Sequence, residues 1–432
     1  MRCIDVGILR AAEIKFDLIG GFCSDTPFSL KENVVSAVDG RLLFNGCRYD
    51  SLCFVPKGDG SRFLLYDVVI GVNFHWQRKE NQLFTGELHF IVEDGEVRAV
   101  NRLPIEDYLV SVISSEMSAT SSLELLKAHT IISRSWLYAQ LQRSGKVQQG
   151  VLGWENENEI IRWYAREDHT LFDFCADDHC QRYQGVTRAA NPNVERAVRE
   201  TTDVVLMYGD EVCDARFSKC CGGVTERFSA CWENEDYDYL KALRDCEGDE
   251  PLPDLTDETS AREWIESAPP SFCSADDSAV LSQVLNGYDQ ETNDFYRWSV
   301  EYTQEELSKL IKRRSGVDFG TIIDLQPVER AASGRLVKLR VVGSKRTLVV
   351  GKELEIRRWF SESHLYSSAF VVDKMEKNGS LCFVLKGAGW GHGVGLCQIG
   401  AAVMGEKGYT FEEILEHYYP GASLCKTGGL LS

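Results

Sequence analysis

A glutamate between two apolar helical runs is the residue of this chain best placed for acid–base chemistry. Glu116 lies in the stretch NRLPIEDYLVSVISSEMSATSSLELLKAHTIISRSWLYAQLQ, which begins at Asn101. A carboxyl group at a helix end can be tuned as a general acid or base. Most acidic residues do no chemistry, so the pattern alone favours a solvated glutamate at a helix terminus.

Two predicted helices flank this carboxyl group. The first covers residues 105–113. Pro104 can begin it without losing a hydrogen bond, and Glu106 and Asp107 suit the positive end of the helix dipole. Glu116 is therefore expected near the end of this helix.

The second predicted helix begins near Ser121 or Ser122, and Glu124 follows Ser121 at the capping-box spacing. Four of its residues recur at steps of four, three and four, so they share one face. They are Lys127, Ile131, Arg134 and Tyr138. This pattern predicts a basic face close in sequence to Glu116.

Histidines and cysteines are concentrated after this helix pair. The four candidate metal ligands are His169, Cys175, His179 and Cys180. Zinc prefers thiolate and imidazole ligands, and two of each complete a tetrahedral shell. The spacing is not that of a zinc finger, so a short disulfide beside unrelated surface histidines is the alternative. Asp177 and Asp178 are alternative ligands. Four protein ligands would leave no position for a reactive water, which indicates a structural role.

The chain contains fifteen cysteines, an odd and large number. A secreted chain tends to pair its cysteines. Cys220, Cys221, Cys231 and Cys246 are close in sequence and could hold a disulfide. Buried thiols in a reducing environment are the alternative.

Glycine-rich segments in the second half of the chain predict close backbone approaches. Gly222 and Gly223 precede Thr225, and paired glycines let a backbone approach a ligand, although an ordinary tight turn has the same pattern. Residues 387–395 carry a glycine at every second position, which lets a loop fold tightly and expose N–H groups. His392 within it is either a structural group or one that orients the acid or the substrate.

Composition indicates a globular protein and argues against nucleic acid as a partner. The 432 residues are enough for two or three domains, and 44% are hydrophobic. The formal net charge is −19, whereas phosphate binding requires a basic surface. No apolar run is long enough to span a bilayer.

Strand and helix patterns together predict an α+β fold. Residues 1–80 alternate in polarity and read as a β-rich module, and a hairpin is predicted to turn at Asp94 and Gly95. His75 and Trp76 could form a binding platform, although packing accounts for them better. An acidic, proline-containing stretch reads as an inserted lid or linker. The predicted domains are 1–80, 81–246, 247–295 and 296–432.

Two blocks of the sequence resemble the SpoIID family, which comprises stage II sporulation protein D and the LytB-type amidase enhancers. The first is NRLPIEDYLVSVISSEM followed by LELLKAHTIISRS; the second is GAGWGHGVGLCQIGAAVMGEKGYTFEEILEHYYPGA. The resemblance covers roughly residues 84–425. It implies a core of mixed strands and helices that line a substrate groove.

The resemblance implies that the chain is a lytic transglycosylase acting on peptidoglycan glycan strands, with Glu116 as the catalytic acid. It also implies a structural zinc site formed by the cysteine and histidine segment. Residues expected to contact substrate or position the acid match family positions: Lys127, Arg134, Ser135, Ser218, Gly222, Gly223, Thr225, His392 and Gln398. The family often has a histidine near Ser218, whereas Arg216 and Lys219 stand there in this chain.

Two other functions compete with this interpretation. An amidase-enhancer likeness also fits a protein that binds the cell wall and activates an amidase partner without catalysis. A zinc hydrolase is less consistent, because the sequence lacks an HExxH-type arrangement. Peptidoglycan lies outside the cytoplasm, so we expect a location in the cell envelope and a precursor with an export signal that this sequence lacks, since Asp5 and Glu13 interrupt the first apolar stretch.

Overall fold

The computed structural model describes residues 2–71, 78–118, 120–143, 153–163, 169–177, 180–187, 192–275, 277–284, 294–377 and 379–428. Contacts within the chain divide it into two compact units. Unit 1 comprises Met1–Ala119 and Glu167–Thr202, and unit 2 comprises Thr120–Arg166 and Asp203–Ser432. The boundaries of these units differ from the domain boundaries predicted at residues 80, 246 and 295. The predicted domain organisation stays a prediction.

The helices of the described residues fall into both units. They are α1 (Ile105–Glu116), α2 (Leu123–Arg143), α3 (Pro192–Glu200), α4 (Glu258–Ser267), α5 (Ser278–Val284), α6 (Gln304–Ser315), α7 (Glu353–Trp359), α8 (Gln398–Glu406) and α9 (Phe411–Tyr418). Short 3-10 helices cover Phe228–Ala230 and Phe272–Ser274. None of the helices in the described ranges is long and apolar enough to cross a membrane.

Unit 1 is built on two six-stranded sheets. In spatial order, the first contains Phe174–Cys175, Cys3–Ala11, Glu96–Pro104, Glu87–Glu93, Leu52–Pro56 and Phe22–Cys23, and the second contains Cys47–Tyr49, Arg41–Phe44, Asn33–Val38, Glu13–Ile19, Arg62–Ile70 and Arg78–Phe84. Phe16 of the second sheet lies with its ring centroid 5.2 Å from Phe54 and 4.9 Å from Phe90 of the first. These buried aromatic rings join the two sheets into one core.

The hairpin before α1 forms as predicted. Glu87–Glu93 pairs antiparallel with Glu96–Pro104, and Asp94 and Gly95 have φ values of 53° and 82°. Two consecutive positive φ angles are the geometry of the tight hairpin turn that this dipeptide favours. The chain passes from this hairpin directly into α1, so the hairpin fixes where the helix begins.

The described residues of unit 2 form four smaller sheets. In spatial order they are Gly153–Glu155, Glu159–Arg162, Thr347–Gly351, Leu336–Gly343 and Ile322–Arg330; Arg297–Thr303, Ser380–Ala388 and Phe370–Lys377; Glu211–Val212, Val204–Tyr208 and Ser423–Lys426; and Phe217–Ser218 with Leu396–Cys397. Trp359 of α7 is fully buried in the main core of this unit, together with Leu339 and Phe383 from two of the sheets.

The acidic stretch 247–295 is attached to unit 2 along its described part. Arg262 of α4 bonds Asp373 at 2.8 Å, and Ile265 is buried against Val371 and Ala388. Trp264 donates from its indole nitrogen to the Gly222 carbonyl at 3.3 Å. The described part of this stretch contains the short helices α4 and α5.

Helices and sheets in separate runs make this an α+β fold, as predicted.

One local prediction is wrong: Ser121 does not form a capping box with Glu124. Ser122 instead accepts the Leu125 N–H at 3.3 Å, and Ser121 donates to the Gln283 carbonyl at 2.8 Å. The predicted start near Ser121 or Ser122 is thus confirmed at Ser122, which precedes the first residue of α2, and Ser121 contacts the end of α5 instead.

Candidate functional site

Glu116 is the last residue of α1, so its predicted position at a helix end is confirmed. Its side chain is half-buried. The neighbouring apolar side chains of Val112, Ile113 and Met117 are 0%, 0% and 2% exposed. The Met117 N–H closes the helix on the Ile113 carbonyl at 2.9 Å. Glu116 therefore lies between buried apolar residues along the chain of unit 1.

The segment that follows the cysteines and histidines holds α1 in place. Tyr183 stacks on Tyr108 of α1 with ring centroids 5.1 Å apart. The Tyr183 hydroxyl donates to Asn101 Oδ1 at 2.6 Å, and the Gln184 N–H donates to Ser111 Oγ at 3.2 Å. Because these groups are buried, the bonds fix the orientation of the helix that carries Glu116.

Three of the four predicted metal ligands come together in unit 1. The ligand atoms of His169, Cys175 and Cys180 all lie within 4.8 Å of one another. His169 Nε2 is 3.5 Å from Cys180 Sγ, and the Cys175 N–H donates to that sulfur at 3.4 Å. The fourth predicted ligand, His179, and the alternative Asp178 lie outside the described residues, as do His75 and Trp76.

The geometry of this trio fits a zinc ion. A tetrahedral zinc with Zn–S of about 2.3 Å and Zn–N of about 2.05 Å separates its sulfur and nitrogen ligands by about 3.5 Å. The His169–Cys180 separation has this value. The other alternative ligand, Asp177, contributes its backbone instead, since its carbonyl accepts the Cys180 N–H at 3.0 Å. Zinc at this site stays a prediction.

In unit 2, the two glycine-rich segments lie against each other. Cys220 and Trp390 exchange backbone hydrogen bonds of 3.0 and 2.8 Å, and the Glu226 N–H donates to the Gly393 carbonyl at 2.9 Å. A side chain at Gly222 would lie 2.9 Å from the Gly389 nitrogen. The sequence places these segments far apart, and the fold joins them through their backbones.

Replacing Gly395 with alanine is expected to destabilise unit 2 by at least about 2 kcal/mol. Gly395 has φ +70°, and an added Cβ would overlap the Arg216 carbonyl oxygen. The left-handed backbone costs about 1–2 kcal/mol for alanine, and overpacking adds about 1–3 kcal/mol. Chemical denaturation measures the loss. Gly408→Ala is the matched control, because Gly408 has φ +89° but open space around it; an equal loss in both variants would contradict the steric argument.

His392 is held as a structural group within the glycine-rich loop. Its Nδ1 accepts the Val394 N–H at 3.0 Å, and its ring packs edge-on against Trp232 with centroids 4.6 Å apart. Burial, aided by the charges of Arg216, Arg335 and Arg357, lowers the pKa of His392 well below its ordinary value. The ring is therefore neutral near pH 7, and its contact with substrate stays a prediction.

Ser218 and Thr225 differ in how their hydroxyl groups are used. Ser218 is 6% exposed, and its hydroxyl has no hydrogen-bond partner within the described ranges. Its Cβ would be 3.2 Å from a side chain at Gly391. Thr225 is fully buried and donates to the Lys241 carbonyl at 2.9 Å. Of these two hydroxyl groups, that of Ser218 is buried without a partner in the described ranges, and its contact with substrate stays a prediction.

The predicted residues of α2 lie mostly inside unit 2. Arg134 is 0% exposed, and its guanidinium donates to the Val204 carbonyl at 3.0 Å. Ser135 is equally buried and accepts the Leu206 N–H at 2.8 Å. Lys127 bonds Glu124 at 3.2 Å and lies over the Phe411 ring. Through these contacts the three side chains stabilise the fold of unit 2. Their contact with substrate stays a prediction.

Gln398 joins α8 to α2 through a histidine that the sequence interpretation missed. Gln398 Nε2 donates to His129 Nε2 at 3.0 Å, and His129 Nδ1 lies 3.3 Å from Ser133 Oγ. This arrangement requires a neutral imidazole ring. Burial, together with the charge of Lys219, lowers the pKa of His129 to about 3. Substrate contact by Gln398 stays a prediction, and no spacing rule marks His129 in the sequence.

His129 is expected to make the protein less stable as the pH falls below neutrality. The folded-state pKa of about 3 lies below the value of about 6.5 in an unfolded chain, so acid protonates the unfolded chain first. Between pH 7 and pH 5 this removes about 2 kcal/mol from the free energy of unfolding. Urea denaturation of wild type and His129→Gln at both pH values measures it. The same pH dependence in both proteins would contradict the assignment.

A buried arginine and glutamate link the two glycine-rich segments. Arg335 is 0% exposed and donates to the Cys221 carbonyl at 3.2 Å and to the Gly391 carbonyl at 3.0 Å. Arg335 and Glu226 both bond Ser333 Oγ, at 2.9 and 2.6 Å. Burial raises the pKa of Glu226, although Ser333, the Arg227 N–H and the Arg335 charge oppose this. Sequence patterns did not indicate Arg335, because nothing near it is periodic or motif-like.

The cysteines are thiols throughout the described part of the chain, which includes all fifteen. The disulfide considered among Cys220, Cys221, Cys231 and Cys246 is not formed. Cys231 lies near the His392 carbonyl instead, at 3.9 Å. Cys221 Sγ is 3.5 Å from that of Cys273, a residue that was not part of the prediction.

Two family models match the chain. Residues 93–208, which include Glu116 and the cysteine and histidine segment, match the model described as stage II sporulation protein, SpoIID. Residues 226–395 match a model described as a domain of unknown function (DUF8618). The first match covers α1, α2, α3 and the second strand of the hairpin before α1.

Curated relatives match over most of the chain at low identity. The amidase enhancer of Bacillus subtilis (strain 168) is 27% identical over 334 residues, which is 73% of this chain but only 40% of that protein. Stage II sporulation protein D is 22% identical in Bacillus amyloliquefaciens, over 77% of this chain and 78% of that protein, and 21% identical in Bacillus subtilis (strain 168), over 78% of each. The resemblance to this family is thereby confirmed: residues 93–208 match the SpoIID model, and the chain is similar to the amidase enhancer and to stage II sporulation protein D.

Proposed function

We propose that this protein is a lytic transglycosylase that cleaves the bond between N-acetylmuramic acid and N-acetylglucosamine in peptidoglycan glycan strands. The relatives support a role at the cell wall outside the cytoplasm. The observation that carries the finer proposal is a half-buried carboxyl group, Glu116, at the end of a helix inside the SpoIID match.

In this mechanism one carboxyl group acts first as an acid and then as a base. Protonated Glu116 donates its proton to the glycosidic oxygen as the bond to the anomeric carbon breaks. The resulting carboxylate takes the proton of the muramic acid 6-hydroxyl, whose oxygen attacks the same carbon. The product is a 1,6-anhydro-muramic acid end, and no water is consumed. Glycoside hydrolases, by contrast, typically need two carboxyl groups.

The position of Glu116 suits the proton-donating step. The carbonyl groups at the end of a helix make that end negative, which disfavours a second negative charge and so favours the protonated carboxyl. The buried Val112, Ile113 and Met117 give the residue apolar neighbours. Both effects act in the direction that a general acid requires.

The cysteine and histidine trio would stabilise the position of Glu116 indirectly, through the segment that follows Cys180. Zinc held by His169, Cys175 and Cys180, with His179 as the predicted fourth ligand, would supply structural cross-linking. The segment after Cys180 carries Tyr183, which bonds Asn101 and stacks on α1. A fixed metal-bound turn would therefore stabilise the support of the helix that ends in Glu116.

An amidase activator is the second candidate function. It is favoured by the similarity to the amidase enhancer, which extends over 73% of this chain. An activator would bind the cell wall and an amidase without cleaving glycan strands.

The test is a digest of purified glycan strands, with and without stem peptides, analysed by mass spectrometry. Fragments with anhydro ends would support the transglycosylase, and the preferred substrate would show whether stem peptides must be absent. A parallel reaction adds a purified cell-wall amidase. Faster amidase action without any anhydro products would replace the proposal with the activator.

A further inference from the structure

Three cysteines and an aspartate form a buried cluster in unit 2 that the proposed function does not use. Cys221, Asp245, Cys273 and Cys397 are 2%, 0%, 1% and 0% exposed. One atom from each, a sulfur or a carboxylate oxygen, lies within 4.8 Å of all the others. The four residues come from separate parts of the sequence, so only the folded chain assembles the cluster.

The distances within the cluster match the coordination shell of one ion. Cys221 Sγ lies 3.5 Å from Cys273 Sγ and 3.2 Å from Asp245 Oδ2. The Cys221 N–H lies 3.2 Å from Cys397 Sγ. In a tetrahedral site with Zn–S of about 2.3 Å and Zn–O of about 2.1 Å, ligand atoms are about 3.6–3.8 Å apart. The observed separations are slightly shorter than these values, so the ligand atoms would move slightly apart to admit the ion.

The carboxylate of the cluster needs a positive charge that the surrounding side chains supply poorly. Asp245 accepts hydrogen bonds from the Tyr418 hydroxyl at 2.7 Å and the Cys273 N–H at 3.2 Å. Among the described ion pairs, its one cationic candidate is the imidazole of His417, 3.6 Å away. A fully buried carboxylate without a full positive partner is costly, and a bound cation removes that cost.

A disulfide would account for the cluster less well. A bond between Cys221 and Cys273 would require their sulfurs to approach to about 2.05 Å. It would use two of the three thiols and leave Cys397 and the Asp245 carboxylate as they are. Inert buried thiols would likewise not explain why a carboxylate is enclosed among them.

We propose that Cys221, Asp245, Cys273 and Cys397 bind one zinc ion as a closed structural site. The three thiols would lose their protons to solvent on binding, and four protein ligands would leave no open position for catalysis. The Tyr418 hydroxyl on the other carboxylate oxygen would orient Asp245 as a ligand.

The site would fasten together the segments that frame the glycine-rich region. Cys221 precedes the Gly222–Gly223 turn, Cys397 ends the glycine-rich loop, and Cys273 belongs to the acidic stretch 247–295. An ion here would hold that stretch against the Gly222–Gly223 turn, so the stretch would be a fixed part of unit 2 and not a flexible linker. This inference does not depend on the proposed enzymatic activity.

The experiment counts metal ions in the purified full-length chain. Zinc per chain is measured by inductively coupled plasma mass spectrometry in wild type, Cys273→Ser and Cys382→Ser. Cys382 is the matched control, since it is also buried in unit 2 but belongs to no described ligand cluster. We expect Cys273→Ser to hold one ion fewer than wild type and Cys382→Ser to hold as many as wild type.

A second measurement keeps the proposal testable where Cys273→Ser does not fold. The double variant Cys175→Ser/Cys180→Ser alters only the trio in unit 1. It is loaded with cobalt, and its thiolate-to-cobalt absorption is recorded. Binding of one cobalt ion per chain, with a thiolate-to-cobalt absorption as intense as three thiolate ligands give, supports the site. Absence of that band overturns it, as does equal zinc in folded Cys273→Ser and wild type. Two missing thiols in unfolded, metal-free wild type would show a disulfide and overturn it as well.

Discussion

Replacing Glu116 with glutamine is expected to lower the rate of glycan-strand cleavage by about 10²–10⁴-fold, the range that one general acid–base group contributes. Glutamine has nearly the same shape but cannot donate and then accept the proton. Glu116 also ends α1, so the change leaves the apolar side of the helix intact. The rate is measured by mass spectrometry as anhydro-ended fragments released per unit time.

Glu106→Gln is the control for this prediction. Glu106 lies in the first turn of the same helix and undergoes the same chemical change. We expect it to cleave as fast as wild type, and thermal unfolding of all three proteins checks that each one is folded under the assay conditions. Full activity in Glu116→Gln would show that another group is the acid. If wild type does not cleave but stimulates an amidase, and Glu116→Gln does so equally, the enzymatic proposal is wrong.

Replacing Arg335 with methionine is expected to reduce the free energy of unfolding by about 3–5 kcal/mol, the usual loss when one partner of a buried charge group is removed. The change leaves the Cys221 and Gly391 carbonyls without their guanidinium donors. It also removes the positive charge near the buried Glu226. Urea denaturation at neutral pH measures the loss.

A double-mutant cycle identifies the source of that loss. Arg335→Met combined with Glu226→Gln should be less destabilised than the sum of the single variants, because no buried negative charge is left uncompensated. Arg340→Met is the surface control, since Arg340 is exposed on the next strand, and its effect should stay within about 0.5 kcal/mol. Additive single effects would contradict a coupling between Arg335 and Glu226.

Local chemistry explains why the sequence alone determined much of the framework. Asp94 and Gly95 tolerate positive φ, so the hairpin turns there. Thr303 and Glu306 form a capping box at the start of α6 with the S/T-x-x-E spacing that favours it, and Pro104 precedes α1 as expected. The position of Glu116 at a helix end follows from the same short-range rules. The trio of His169, Cys175 and Cys180 could also be predicted from the sequence, because its members are close in sequence and are all residue types that bind zinc.

The tertiary structure alone decided which distant residues meet. Arg335 reaches the carbonyls of Cys221 and Gly391, and Gln398 reaches His129, through contacts that no periodicity encodes. Other long-range contacts bury Arg134, Ser135 and Thr225, for which the family resemblance had implied contact with substrate or positioning of the acid. Cys221, Asp245, Cys273 and Cys397 are assembled in this way too. Short-range preferences act within a few residues, whereas burial and hydrogen bonding in the folded chain select partners regardless of their separation.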